Sequence, residues 1–160
     1  MKALKSLLCI VLCLLMLAGC GGNSGTSDSG KSKGTIKLGG LAPLTGNYAE
    51  YGKGFQIGFN KVIEEINANG GANGYQLEIE VKDSQGDPVT STTLCTDFAE
   101  NEEIMAILGD FTSGACKADA PIVDENGVVL LSPTASAPDY ASMSKYCFGI
   151  MGLQSGEAPY

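Results

Sequence analysis

The chain has 160 residues, room for one domain with a sizeable core and short of an ordinary two-domain protein. Its ten basic residues are all lysine, set against 18 Asp and Glu, and it has no histidine. Without arginine there is no bidentate clamp for carboxylate or phosphate. Without histidine, Ser-His and Cys-His catalysis and the usual zinc sites fall away, and the acidic balance argues against nucleic acid as a partner.

The first 20 residues, MKALKSLLCIVLCLLMLAGC, combine a basic start at Lys2 and Lys5 with an apolar stretch of 12 residues from Leu7 to Ala18. That is the pattern of a secretory signal over residues 1–19, too short for a membrane span, which needs about 18 apolar residues. Its end, LAGC, resembles the lipobox of bacterial lipoproteins. The resemblance implies cleavage before Cys20, a diacylglycerol on that thiol, and a mature protein held by lipid on the outer face of the cytoplasmic membrane. Residues 20–34 are then the lipidated cysteine and a Gly/Ser tether, able to reach about 20 Å as a flexible coil. The mature part keeps eight lysines against 18 acidic residues, a net of −10. It also keeps Cys95, Cys116 and Cys147, enough for one disulfide at most, with the pairing open.

From residue 35 to 160 the pattern alternates between strand and helix. TIKLGGLA (35–42) reads as a first strand. In the stretch 51–71, Phe55, Phe59, Val62, Ile63 and Ile66 share one helical face, with Lys61, Glu64 and Glu65 opposite, and Asn69-Gly70-Gly71 ends the helix. YQLEIEVKD alternates Leu77, Ile79 and Val81 as a second strand. Asp87-Pro88 supplies a cap and a proline at the first helical position, for a helix running to about Asn101. IMAILG is a third strand, and SGACKADAPIVDENG a helix that Pro121 is expected to kink or split. VVLLS and YCFGI are the fourth and fifth strands. The order predicts an α/β fold with a doubly wound parallel sheet. Ligands in such folds bind beyond the carboxyl ends of the strands, where LAPLTGNYAEYG, GDFTSG and SPTASAP are expected.

The loop after strand three, within ILGDFTSGAC, allows three chemistries. A nucleophile elbow needs Gly-x-Ser-x-Gly, but Phe111 and Ala115 flank Ser113 at those positions and no histidine can take its proton. Cys116 lies three residues inside the helix and reads as a small buried side chain. Neither a Walker loop nor Gly-x-Gly-x-x-Gly occurs, so no nucleotide cofactor is expected. What remains is a helix start bearing Thr112 and Ser113. Either Ser113 caps the helix, or the free N–H groups and dipole hold a ligand anion, a carboxylate being the natural choice. SPTASAP is either an ordinary turn or a second hydroxyl-bearing loop at the same edge.

In this order, IKLGGLAPLTGNYAEYGKG, INANGGANGYQLEIEVKDSQGDP, AILGDFTSGACKADAPIVDENGVVLLSPTASAP and CFGIMGLQSGEAPY resemble the branched-chain amino-acid-binding solute receptors of ABC importers, which have the type I periplasmic-binding-protein fold. The resemblance implies the first lobe of that fold, with the chain stopping at Tyr160 before the second. It implies an amino-acid ligand, the importer's membrane subunits as partners, and no enzymatic activity, cofactor or metal. The ligand carboxylate would be held by Ser113 and backbone N–H, with Thr112 beside it, and by Ser136. The carbonyl of Thr134 would accept from the α-ammonium, and Tyr51 and Phe111 would line the side-chain pocket. Ser84 and Thr112 stand where some members carry a cysteine pair. Two rival readings are an extracellular sensing domain of the same architecture and, remotely, an exported hydrolase using Ser113 or Cys116.

Overall fold

The computed structural model of the protein describes residues 32–152. The signal, the lipobox cysteine Cys20 and most of the tether therefore lie outside the described residues. The elements follow the order β1 (Thr35–Ala42), α1 (Ala49–Ala68), β2 (Gln76–Asp83), α2 (Pro88–Ala99), β3 (Ile104–Leu108), α3 (Ser113–Asn126), β4 (Val129–Ser132) and β5 (Cys147–Gly149). Short 3-10 turns at Gly46–Tyr48 and Tyr140–Ser142 complete them.

All five strands are parallel, in the order β2-β1-β3-β4-β5. The chain leaves β1 towards one edge to make β2, then crosses back to make β3 on the other side. The strand order therefore reverses between β1 and β3, and a crevice opens there at the carboxyl edge.

Side-chain alternation divides the sheet. Ile107, Leu130 and Cys147 pair in register across β3, β4 and β5 and are buried, together with Leu41, against Phe98 and Cys95 of α2 and Cys116, Ala120 and Val123 of α3. On the opposite face α1 packs over β1 and β2. Beyond its reach Leu131 and Phe148 pair in register, and Val129 and Phe148 remain 36% and 49% exposed. Because α1 covers only that edge, its apolar stripe is narrow. Phe55, Phe59, Ile63 and Ile66 are half-buried, but Val62, expected on the same face, is 55% exposed.

Local chemistry explains the boundaries. Asp87 caps α2 by accepting from Thr90 N–H at 2.8 Å, and Pro88 occupies the first turn. Gly127, at φ 69°, closes α3 in the left-handed conformation with its N–H on Val123 O. Pro121 does not split α3, which runs unbroken from Ser113 to Asn126; it sits on the exposed side, where the carbonyl four residues earlier can be hydrated. The Asn67 side chain both donates to and accepts from the backbone of Leu77, at 2.8 Å each way, and locks the end of α1 to β2. Among the described residues no helix is long and apolar enough to cross a membrane, and no group of His, Cys, Asp and Glu is placed to hold a metal.

Candidate functional site

Three loops meet at the carboxyl edge. The segment after β1 is fixed by Asp83 at the end of β2. Its Oδ1 accepts from the N–H groups of Leu44 (2.8 Å), Thr45 (3.2 Å) and Gln85 (2.9 Å), and its Oδ2 from the Thr45 hydroxyl (2.6 Å). Burial on its own would raise this carboxyl. The hydrogen bonds from Thr45, Gln85 and Leu44 together outweigh it and hold Asp83 below the ordinary carboxylate range. Gly52 in the first turn of α1 lies against the Pro43 backbone, where an added Cβ would come within 2.0 Å of the carbonyl oxygen. That approach sets Tyr48 and Tyr51 over the crevice.

The second loop leaves β3 at Gly109, whose φ of 134° and close approach to the Leu41 carbonyl leave no room for a side chain. Phe111 then projects into an aromatic group. Tyr51 stacks on it with ring centroids 4.7 Å apart at 22°, and Tyr48 and Phe55 lie at 5.0 and 6.0 Å in tilted geometry. Tyr51 keeps 59% of its surface exposed, so this apolar wall is open to solvent.

At the start of α3 the cap is Thr112, not Ser113. The Thr112 hydroxyl accepts from Ala115 N–H at 3.1 Å with Thr112 in extended backbone geometry, whereas Ser113 is the first residue of the helix. The one-residue shift frees Ser113. Its Oγ accepts from the N–H groups of Ser136 (3.2 Å) and Ala137 (3.3 Å) in the loop after β4, leaving its own O–H to donate outward. The N–H groups of Ser113 and Gly114 have no partner among the described residues. Together with the helix dipole they form a neutral, donor-rich seat for an anion.

Thr134 and Ser132 hold the third loop to the second. The Thr134 hydroxyl donates to Phe111 O at 2.8 Å. Ser132 Oγ donates to Asp110 O at 3.0 Å and accepts from the N–H groups of Ala135 (2.9 Å) and Thr134 (3.3 Å). Four of the six residues expected at the site, Ser113, Phe111, Thr134 and Ser136, are tied in pairs across the two loops, Thr112 caps the helix beside them, and Tyr51 meets them through the Phe111 ring. Sequence reasoning missed Tyr48, Asp83, Asp110 and Ser132. An aromatic in GNY offered a faint signal for Tyr48. The other three act largely by holding the backbone of neighbouring loops, contacts that leave no sequence pattern.

Ser84, one of the two residues at the cysteine-pair positions, is buried and accepts from Gly86 N–H at 3.3 Å. Cys95, Cys116 and Cys147 are all buried free thiols. Burial pushes Cys116 up to about 12 despite hydrogen bonds to Ser132 and Asp110, which disfavours the nucleophilic thiolate. A cavity of about 240 Å³ lies at the opposite, amino edge of the sheet, lined by Lys37, Glu78, Glu80 and Glu103. Its one lysine is engaged by Glu103 at 2.6 Å, and it lacks the convergent donors of the carboxyl edge.

Comparison with known proteins identifies the fold and the family. A family model described as periplasmic binding protein matches residues 35–159. A leucine-, isoleucine-, valine-, threonine- and alanine-binding protein of Pseudomonas aeruginosa is 32% identical over 126 residues, 78% of this chain and 34% of that protein. Among solved structures, a putative branched-chain amino acid ABC transporter protein of Rhodospirillum rubrum superposes with a TM-score of 0.72 at 34% identity, covering 74% of this chain and 34% of its own. The branched-chain amino acid transporter substrate-binding protein LivJ of Streptococcus pneumoniae, in complex with isoleucine, gives 0.72 at 31%, covering 76% and 35%. The chain thus spans about a third of the length of these relatives. It belongs to the periplasmic binding protein family and has the α/β architecture of the type I fold.

Proposed function

We propose that this chain is the first ligand-capturing lobe of an extracytoplasmic receptor that binds an amino acid, of the branched-chain kind, and delivers it to an ABC importer. It acts by binding and is not an enzyme. The observation that carries the reading is the α3 N-terminus, where the N–H groups of Ser113 and Gly114 are free among the described residues and the Ser113 hydroxyl, accepting from Ser136 and Ala137, keeps its own proton to donate. An α-carboxylate sits there without needing arginine, and Ser136 completes its surroundings. The α-ammonium is met by the Thr134 carbonyl, and an aliphatic side chain lies against Tyr51 and Phe111. Supporting this are the neutral character of the site and the relatives named for leucine, isoleucine and valine. The lipobox adds a signal peptide, lipid attachment at Cys20 and a place on the outer face of the cytoplasmic membrane.

One lobe buries little of a small ligand, so the affinity expected of this chain is weaker than micromolar. Saturation-transfer difference NMR detects such binding. L-leucine, L-isoleucine and L-valine should give methyl signals that compete with one another. No signal for any of them at millimolar concentration would refute the reading, and micromolar affinity by calorimetry would refute the half-site account.

A further inference from the structure

Behind the binding loop lies a buried group that ligand capture does not use. Asp110, at the start of the loop, and Asp119, two turns into α3, are both fully buried, as is Ser91 of α2 between them. Ser91 Oγ is 2.8 Å from Asp119 Oδ2 and 3.2 Å from Asp110 Oδ2. A serine hydroxyl carries one hydrogen and can donate to only one of these oxygens. With both carboxyls ionised, the other contact would set two lone pairs at hydrogen-bonding distance with no proton between. Asp119 Oδ1 is buried and has no hydrogen-bond partner among the described residues. A neutral acid tolerates that vacancy far better than a carboxylate.

Among the described residues no cation acts on Asp119 to compensate a charge there. The titratable groups facing Asp119 are Asp110 from the loop, Cys95 from α2, Cys116 from α3, Cys147 from β5 and Tyr140 from the 3-10 turn. All four thiol and phenol groups are raised by burial and stay uncharged near neutrality. Lys82 and Lys117 are committed to Asp97 and Asp139 nearer the surface.

We propose that Asp119 is carried as the protonated acid and is a positioning residue for the binding loop, its O–H donating to Ser91 and Ser91 in turn to Asp110. Asp110 is the piece of that loop the relay holds. Its Oδ1 accepts from Phe111 N–H, and its carbonyl accepts from Ser132 Oγ at 3.0 Å and Cys116 Sγ at 3.3 Å. Deprotonation releases the proton to solvent, leaves two buried carboxylates sharing one hydroxyl, and loosens the loop that presents Thr112 and Ser113. The importance of that loop rests on the proposed ligand site; the proton relay itself does not.

Burial is the main reason Asp119 rises from its ordinary 3.8 to about 7, with the Asp110 charge adding to it and the Ser91 hydrogen bond opposing it. A folded-state value above the unfolded one means that this group's contribution to stability is full below about pH 4. It is lost as pH climbs to about 7 and is level above that.

The test compares melting of the chain with that of Asp119→Asn, which keeps the shape and a donor for Ser91 but cannot ionise. The Tm of the variant should gain about 5–10 °C on the wild type between about pH 5 and pH 8. A gap that does not widen overturns the relay. At about pH 8, amide hydrogen exchange over residues 109–116 should be faster in the wild type than in the variant, and equal exchange overturns the positioning role. Should the variant not fold, infrared spectra of the wild type decide. A protonated-carboxyl band at about pH 6 that disappears by about pH 9 supports the relay, and its absence at the lower pH refutes it. None of these readouts uses a ligand, so failure here leaves the proposed function standing, and loss of leucine binding leaves the relay standing.

Discussion

Ser113 and Ser136 are joined by a hydrogen bond from the Ser136 N–H to the Ser113 Oγ at 3.2 Å, which ties the start of α3 to the loop after β4. The same Oγ also accepts from Ala137. Replacing Ser113 by alanine strands both N–H groups, and the variant should lose about 1–2 kcal/mol in urea unfolding. Thr112→Ala should lose about 1 kcal/mol through the helix cap, with Thr112→Ser nearly neutral. An unchanged urea midpoint in both alanine variants would contradict the assigned roles.

Gly52→Ala tests the approach that aims the aromatic loop. The new Cβ meets the Pro43 carbonyl at 2.0 Å, so backbone must move, and a loss of about 3 kcal/mol is expected. Gly54 and Gly58, further along α1, have open space at the same point, so alanine there should stabilise by up to about 1 kcal/mol. The contrast is read by denaturant unfolding of the three variants, and equal effects would sink it.

The thiols supply a third outcome. Cys95, Cys116 and Cys147 are buried and raised by desolvation, so iodoacetamide at neutral pH should leave all three unlabelled in the folded protein and label all three in denaturant. Peptide mapping gives the answer residue by residue. Rapid, stoichiometric labelling of Cys116 under native conditions would restore the hydrolase reading.

Asp83 sets the acid limb of stability. Its folded value lies below the unfolded one, so its contribution is complete above the ordinary carboxylate range and fades as pH falls through the folded value. Asp83→Asn should be less stable than the wild type at neutral pH and should converge with it once pH has fallen below the folded value. Parallel melting curves across that span would show that the loop after β1 does not depend on this carboxylate. The sign is opposite to that of Asp119, so the two variants together separate the acid and neutral parts of the pH profile.

The strands and helices were legible because each announces itself locally. Alternation in Leu77, Ile79 and Val81 marked β2, Asp87-Pro88 opened α2 and Gly127 closed α3. The loops at the carboxyl edge followed from strand-helix alternation alone. Val62 misled because periodicity reports an apolar stripe but not how much sheet lies beneath it. The cap fell on Thr112 instead of Ser113 because two adjacent hydroxyl residues look equivalent until the backbone turns between them. Asp119 carried no signal, since a carboxylate in a helical pattern reads as a solvated one, and neither Asp110 in its loop nor Ser91 in α2 stood out from its neighbours. Only the three-dimensional packing shows it facing another across a serine.

The most direct measurement of the central claim is a map of backbone amide shifts as L-leucine is added to the isotopically labelled chain, with isoamylamine, which lacks the carboxylate, as the comparison. The account predicts saturating shifts at Ser113, Gly114 and Ser136 with leucine, and none at those positions with the amine. Shifts confined to other parts of the chain, or identical shifts with both compounds, would contradict a carboxylate seat at the start of α3.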